Sequence, residues 1–234
     1  MNRSRRIALI AVFAAITTVL DAIVTPGLSS GIWYGWVFVM SPINGMILGP
    51  RDGFLATLIS VLVGHSLVFR DSVYEYVFTL GAPIGALMAG LVFRGEKRWV
   101  LTYFTVFLGA FFLSPVGRSL PVWGMWDVYV AFAAFLGITI LEGWTGRTLV
   151  SRLKMNTVFG ALMGLEADIL FRIFVLVPLR GYELFYGLTT EVLVMIWSVQ
   201  APLITPIKVG ASLLVSTMLV PSILKIVEDN AFSI

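Results

Sequence analysis

Eight long apolar runs constrain the fold of this chain more than any other feature of its sequence. They cover residues 6–25, 33–49, 53–69, 73–93, 99–115, 121–143, 157–178 and 204–226, with Gly, Pro or charged residues between them. A helix needs about 20 apolar residues to cross a hydrocarbon core about 30 Å thick. Inside lipid it must also satisfy its own backbone hydrogen bonds. The runs therefore predict an all-α polytopic membrane protein with about eight transmembrane helices, forming one domain over residues 1–234.

Composition agrees with a membrane location and excludes several protein classes. Hydrophobic residues make up 59% of the chain, charged residues make up 12%, and the mean hydropathy is +0.95. Soluble domains have about 25% charged residues. The absence of cysteine excludes disulfides, thiolate metal sites and a cysteine nucleophile. No long basic cluster is present, so we expect the lipid bilayer and no nucleic acid as a partner. A low Asn and Gln content is typical of heat-adapted proteins.

Positive residues between the runs predict the orientation in the cell membrane. Alternate connections are rich in them, namely Arg3, Arg5, Arg6, Arg51, Arg94, Lys97, Arg98, Arg147, Arg152 and Lys154. The remaining connections carry single arginines, namely Arg70, Arg118 and Arg180. Because cytoplasmic loops carry the excess of Lys and Arg, we expect the amino terminus to be cytoplasmic.

The segment 182–203 does not fit a simple crossing. Glu183 and Glu191 interrupt it, and Pro202 and Pro206 are expected to break the helix that follows. If the segment spans the membrane, the chain makes nine crossings. If it is a re-entrant or interfacial segment on the outer side, there are eight crossings and Lys225 lies inside. We favour the second interpretation because irregular backbone at membrane depth is tolerated where it lines a cavity.

Enzyme signatures are weak in this sequence. His65 is the only histidine, so a metal site with two histidine ligands is impossible. We expect it to be neutral and hydrogen-bonded to a neighbouring helix, and the adjacent Ser66 points about 100° away on a helix. There is no glycine-rich phosphate loop. We therefore expect no catalytic residue, no metal site and no cofactor, so that any uphill transport needs an ion gradient or a partner protein.

A stripe of small residues follows one face of the first run. Ala8, Ala11 and Ala15 recur at three and four residues, and Thr18 and Ala22 continue the stripe. Small residues let helix backbones approach closely where lipid offers no hydrophobic drive. The stripe is therefore either an internal packing surface or a docking face for another membrane protein.

Three segments of the chain resemble a known transporter family. They are RIALIAVFAAITTVL in the first run, MILGPRDGFLATLI at the second connection and TPIKVGASLLVSTMLVPSILKIVE near the end. Together they resemble the substrate-binding S components of energy-coupling-factor transporters, over about the first 93 and the last 25 to 30 residues. S components usually have six crossings, so the runs 99–115 and 121–143 would be an additional pair here.

The resemblance carries functional expectations. It implies a membrane subunit that captures a vitamin or similar micronutrient outside the cell and docks on a coupling transmembrane subunit driven by two ATPases. In that family an alanine-x-x-x-alanine pattern on the first helix contacts the coupling subunit, and Ala11 and Ala15 match the pattern here.

Three charged residues, Glu166, Asp168 and Arg172, lie inside the seventh run. Asp168 and Arg172 are four residues apart and can pair on one helix face, whereas Glu166 is rotated by about 200° from Asp168. A charge at the bilayer centre costs about 2.5–3.5 kcal/mol, so we expect protein or a wet cavity around this helix. The pair is either structural, or it presents Arg172 to a pocket open to the outside while Glu166 faces a neighbouring helix.

Further aromatic and charged residues are expected at the outer ends of the helices. The candidate substrate-binding residues are Trp33, Tyr34, Trp123, Trp126, Asp127, Asp168, Arg172, Glu191 and Lys208. Interfacial Trp and Tyr often serve as membrane anchors, but apolar walls with a few polar groups also suit a flat polar ligand. The alternative function is a self-contained ion-coupled carrier or intramembrane enzyme that uses Glu166, Asp168 and Arg172 for proton transfer.

Overall fold

The computed structural model describes residues 3–22, 35–68, 75–145 and 152–229, and all regular structure within these ranges is helical. The helices are α1 (Arg3–Ala22), α2 (Val37–Leu48), α3 (Pro50–Leu67), α4 (Glu75–Thr79), α5 (Gly81–Phe93), α6 (Lys97–Leu113), α7 (Pro115–Ser119), α8 (Trp126–Thr145), α9 (Arg152–Leu176), α10 (Gly181–Leu184), α11 (Thr190–Met195) and α12 (Ala201–Asp229). A 3₁₀ turn (Val122–Met125) precedes α8, and a π-helical turn (Ile196–Gln200) joins α11 to α12.

The predicted apolar runs correspond to these helices, with ends that differ by at most five residues. Within the described residues, three helical stretches are long and apolar enough to cross a membrane: Glu75–Phe93, Val122–Trp144 and Thr190–Ile226. α1 and α9 are also long, at 20 and 25 residues, but α1 begins with three arginines and α9 contains five charged residues. The chain is thus helical with a few apolar spans.

Helix α5 lies at the centre of the bundle and packs against α2, α3 and α9. Glycines permit the closest approach. A Cβ at Gly85 would lie 2.6 Å from the carbonyl oxygen of Gly164, and one at Gly164 would lie 2.9 Å from that of Gly85. A Cβ at Gly45 would likewise collide with the carbonyl of Ala86. The backbones of α2, α5 and α9 therefore touch directly, as small residues allow in membrane helices.

The two ends of the bundle are named after the arginines Arg6 and Arg172. The Arg6 end contains the start of α1 and the α2–α3 turn, where Gly49 has φ +91° and the Arg6 Nε and Nη2 atoms donate to Asp52 at 2.6 and 2.5 Å. The Arg172 end contains the end of α1, the end of α3, α4 and the end of α9. Asp52 therefore links α3 to α1, in addition to its position in the first turn of α3.

An aromatic core joins α6 and α8 to the centre through α9. Phe104, Phe111 and Phe135 are fully buried, and Phe104 stacks on Phe132 with ring centroids 5.7 Å apart. Dispersion contacts of this kind hold helices together where lipid is as apolar as the side chains. Helices α6 and α8 are thus packed as part of the bundle.

Pro202 and Pro206 do not break the helix, so the prediction that they would is wrong. Residues 190–229 form one continuous helical run. Pro206 leaves the carbonyl of Pro202 without its usual intrahelical donor, and the indole Nε1 of Trp126 donates to that oxygen at 3.0 Å. Trp123 Nε1 donates in the same way to the carbonyl of Ser198, four residues before Pro202, at 3.3 Å. Side chains from a neighbouring segment thus restore the bonds that the prolines remove.

In α2, too, a side chain from another helix replaces a backbone N–H donor that a proline lacks. Pro42 lies inside that helix and frees the carbonyl of Phe38, which accepts a bond of 3.1 Å from Ser212 Oγ on α12. The carbonyls that Pro42, Pro202 and Pro206 free therefore become points at which neighbouring segments are tied together.

Candidate functional site

Asp168 and Arg172 form the predicted ion pair on α9. The Nε atom of Arg172 donates to Oδ1 of Asp168 at 2.6 Å, and Nη2 lies 3.4 Å from Oδ2. Asp168 packs against Gly81 and Gly85 of α5, whose missing side chains leave room for its carboxylate. The Asp168 side chain is 5% exposed, whereas the Arg172 side chain is 36% exposed. The buried carboxylate thus fixes an arginine whose side chain is about a third exposed.

Lys208 of α12 approaches this pair from the other side. Its Nζ lies 5.8 Å from the centroid of the Phe38 ring, and its charge interacts with those of Arg172 and Asp168. A second basic side chain therefore lies within electrostatic reach of the Asp168 carboxylate. Asp168, Arg172 and Lys208 are called the Arg172 cluster below.

Two acidic residues add to the field at this end of the bundle. The charges of Glu75, on α4, and Asp21, on α1, act on Arg172. Tyr186 Oη donates to Glu75 Oε1 at 2.6 Å and so joins the turn after α10 to α4. The sequence analysis did not single out Glu75, Asp21 or Tyr186, and the contact of Tyr186 with Glu75 spans 111 positions that no local pattern connects.

A buried polar chain connects α1, α3 and α4 next to the Arg172 cluster. His65 Nδ1 lies 2.8 Å from Asp21 Oδ2, and His65 Nε2 lies 2.7 Å from Thr79 Oγ1. The expectation that His65 bonds to neighbouring helices is therefore confirmed. Ser66 instead donates to the Leu62 carbonyl at 2.7 Å and lies 3.2 Å from Tyr76 Oη, so it forms no pair with His65 in this arrangement.

Glu166 lies on the opposite face of α9, and Asp127 lies in the first turn of α8. Glu166 is fully buried, and Asp127 is the charged residue whose field acts on it. Asp127 Oδ1 accepts from the Val128 N–H at 3.0 Å, and Oδ2 accepts from the hydroxyl of Thr205. Glu166 thus faces away from Arg172, as its position on the helix predicts, and Asp127 is not among the charged groups that act on Arg172 or Lys208.

Other predicted site residues lie elsewhere. Trp123 and Trp126 are 60% and 44% exposed. Their indole N–H groups donate to the carbonyls of Ser198 and Pro202, which holds both rings at the surface of the bundle. Glu191 is exposed in the first turn of α11. Trp33 and Tyr34 lie outside the described residues.

The small-residue stripe of α1 lies on the surface. Ala8, Ala11 and Ala15 are exposed, and Thr18 and Ala22 are partly buried. The buried side of α1 is formed by other residues, namely Phe13, Ala14, Thr17 and Asp21. Ala8, Ala11 and Ala15 are thus available to another molecule.

A cavity of about 900 Å³ opens at the Arg6 end, between α5 and α6. It is lined by apolar residues of α2, α5 and α6 together with Arg6, Arg51, Asp52, Arg94 and Glu96. Tyr103, one of its lining residues, donates to the carbonyl of Ala167, the residue before Asp168, at 2.9 Å. None of Asp168, Arg172 and Lys208 lines this cavity.

No family model, no curated protein and no solved structure matches this chain.

Proposed function

We propose that this protein is the substrate-capture subunit of a vitamin or micronutrient importer in the cell membrane, working with a separate ATP-driven coupling module. The observation that carries the proposal is the Arg172 cluster. Buried Asp168 fixes the guanidinium of Arg172, which keeps about a third of its side chain exposed beside Lys208. A cation that is positioned by a partner and still accessible is suited to a carboxylate or phosphate of a small polar ligand.

The surface of α1 supports the second part of the proposal. Ala8, Ala11 and Ala15 leave a shallow exposed strip on a helix whose opposite side is buried against α3 and α2. Such a strip allows the backbone of a partner helix to approach closely. We propose that the coupling transmembrane subunit docks there and that ATPases act through that subunit.

The ligand-binding part is tested with the protein purified gently in detergent. Native mass spectrometry should detect a bound small molecule. Once this molecule has been identified, its affinity for the wild-type protein can be measured. The double variant Asp168→Asn/Arg172→Met removes the ion pair together and should fold but bind at least about tenfold more weakly, because losing one charge-assisted bond costs about 1.5–3 kcal/mol.

A matched control is available in the exposed ion pair between Arg180 and Glu183. The variant Glu183→Asn/Arg180→Met removes one negative and one positive charge from the surface. It should leave the affinity for the small molecule unchanged. Unchanged affinity in the stable Asp168/Arg172 variant would show that the pair is structural, and the ligand site would then have to be sought among Trp123, Trp126, Asp127 and Glu191.

The docking part is tested by Ala11→Leu and Ala15→Leu. Both should abolish uptake or co-purification of a coupling subunit while the isolated protein keeps its ligand affinity. Val12→Leu, at a residue of α1 that is 53% exposed, adds volume beside the stripe and serves as the control. A loss of folding in the alanine variants would instead assign the stripe to internal packing.

A self-contained carrier is the second candidate, and buried Glu166 is the observation that favours it, since intramembrane acidic residues often lie on ion pathways. Proteoliposomes that contain this chain alone distinguish the two functions. The capture subunit should show no uphill uptake under an ion gradient, whereas a carrier needs no other protein.

We further propose eight crossings with both ends in the cytoplasm. The basic connections and the position of Lys225 support this topology. A reporter fused after Ile234 should give a cytoplasmic signal. An external signal would contradict the eight-helix topology.

A further inference from the structure

The cavity at the Arg6 end has a basic mouth. Three of the charged residues that line it are arginines, namely Arg6 of α1, Arg51 of α3 and Arg94 after α5, and two are acidic, namely Asp52 and Glu96. Arg6 is paired with Asp52, whereas the ion pairs among the described residues include neither Arg51 nor Arg94. These five residues therefore carry a net positive charge, and they are called the basic mouth below.

Arg94 is held against the turn between α2 and α3. A Cβ at Gly49 would lie 2.7 Å from the Cζ atom of Arg94, so the guanidinium packs against a backbone position that has no side chain. Gly49 has φ +91°, which other residues rarely adopt. The charge of Arg94 also acts on Asp52 in the first turn of α3. Arg94, an exposed residue, is thus fixed beside the helix start that carries Arg51.

The basic mouth lies at the end of an apolar span. Arg94 directly follows the stretch Glu75–Phe93, which is long and apolar enough to cross a membrane. Trp99 also lines the cavity, is 53% exposed, and has the Arg98 Cζ atom 5.1 Å from its ring centroid. Arginine and tryptophan at the ends of such spans are typical of the membrane–water interface. The basic mouth therefore lies at the level of the lipid headgroups.

Apolar side chains continue the cavity from the basic mouth towards the membrane interior. Leu87, Leu91 and Arg94 recur at four and three residues and share one face of α5, and Trp99 and Tyr103 share one face of α6. Leu87 and Arg94 are separated by about 10 Å along the helix axis. The cavity is thus basic at headgroup depth and apolar below it.

We propose that this cavity binds one anionic phospholipid, with its phosphate on Arg51 and Arg94 and the first part of an acyl chain between α5 and α6. Guanidinium groups match phosphate oxygens in charge and geometry, and basic pockets between transmembrane helices suit anionic headgroups. A soluble anion would leave the apolar walls uncovered, and a neutral lipid would leave the arginines without a counter-charge.

A lipid in this position would connect several elements. Its headgroup would join the start of α3 to the end of α5, and its chain would fill the space between α5 and α6. The proposal goes beyond the proposed function, and it does not depend on whether the protein captures a substrate for a coupling module or acts alone.

The test uses the full chain, delipidated in a neutral detergent. Dioleoyl phosphatidylglycerol is titrated into the micelles, and dioleoyl phosphatidylcholine provides a lipid of the same chains without net charge. The melting temperature should rise with the logarithm of the phosphatidylglycerol concentration and change little with phosphatidylcholine. Native mass spectrometry should show one phosphatidylglycerol retained by each chain.

Arg51→Gln/Arg94→Gln should weaken phosphatidylglycerol binding about thirtyfold, because each basic residue near an anionic lipid contributes a factor of about five. Arg3→Gln/Arg5→Gln is the matched control. It removes two positive charges from the same end of the bundle, but neither residue lines the cavity. It should weaken binding by less than about threefold, because salt screens charges that lie outside the site.

Thr102→Phe tests the apolar part without changing a charge, and it also covers the case in which the arginine variant folds poorly. Thr102 lines the cavity, and a phenyl ring there should prevent retention of phosphatidylglycerol. Thr105→Phe is the matched control. Thr105 is exposed on the same helix and, like Thr102, donates to the carbonyl four residues earlier, but it does not line the cavity.

Each of the following results would overturn the proposal. Equal stabilisation by the two lipids would show that the headgroup is not recognised. Equal effects of the two arginine variants would assign binding to the general charge of the Arg6 end. Displacement of the lipid by inorganic phosphate at millimolar concentration would indicate a soluble anion, and a dimer that excludes the lipid would indicate a second copy of the chain. Equal retention by Thr102→Phe and Thr105→Phe would exclude an acyl chain between α5 and α6.

Discussion

The bond between Trp126 and the Pro202 carbonyl allows a quantitative test of how α12 accommodates its prolines. Trp126→Phe keeps most of the aromatic ring but removes the N–H that donates to this oxygen at 3.0 Å. Interhelical hydrogen bonds in membrane proteins contribute about 0.6 kcal/mol on average and up to about 1.7 kcal/mol. Because the carbonyl would lose its donor inside a helix, we expect a loss of about 1 kcal/mol, or about 2–4 °C in melting temperature for a chain of this size.

Pro206→Ala completes the experiment as a double-mutant cycle. Alanine restores the backbone N–H and removes the ring clash, so the single variant should be more stable than the wild type. In that background the Pro202 carbonyl has an intrahelical donor, and Trp126→Phe should cost much less. Far-UV circular dichroism is the suitable measurement, because the substitution removes a fluorophore. Trp144→Phe, at a ring that is 87% exposed, controls for the loss of an indole. A coupling energy within about 0.3 kcal/mol of zero would refute the reasoning.

Three further predictions concern the Asp168–Arg172 ion pair, the glycine contacts and the strained backbone of Arg180. Arg172→Ala should destabilise the protein by up to about 3 kcal/mol because Asp168 is left buried without its partner, and Asp168→Asn/Arg172→Met should recover most of that loss in thermal melts. Gly45→Ala should lower the melting temperature strongly, since a Cβ there collides with the α5 backbone, whereas Gly109→Ala meets no atom within 4 Å and should be neutral or stabilising. Arg180 has φ 57°, so Arg180→Gly should relieve about 1 kcal/mol of backbone strain. The ion pair that this variant removes is exposed and contributes little stability. Denaturant or thermal unfolding should therefore show unchanged or higher stability.

Features set by spacing along the chain were predictable from the sequence. The apolar runs located the helices because a helix in an apolar environment needs one unbroken segment. The pairing of Asp168 with Arg172 followed from the helical repeat, which brings residues four apart onto one face. The same repeat placed Glu166 on another face, as the structure confirms.

Features that join distant parts of the chain were not predictable in this way. The proline rule failed at Pro206 because Trp126, 76 positions from Pro202, supplies the missing donor. Asp127 was expected beside Arg172 on the basis of depth alone, but its side chain accepts from Thr205 of α12 and its charge acts on Glu166. The roles of Asp21 and Thr79 depend on His65 lying between them, which requires three helices to be positioned first.

The contact between Gly85 and Gly164 also limits how the bundle can move. Two backbones that touch without intervening side chains cannot slide or rotate against each other by small rotamer changes, so α5 and α9 must behave as one rigid body. Asp168, which packs against α5, keeps its position relative to that body. α12 differs, because its π-helical turn and its prolines interrupt the regular hydrogen-bond ladder. We therefore expect α5 and α9 to keep their relative positions in any ligand-driven motion. We expect α12, which carries Lys208 and Thr205, to be the helix that bends or shifts.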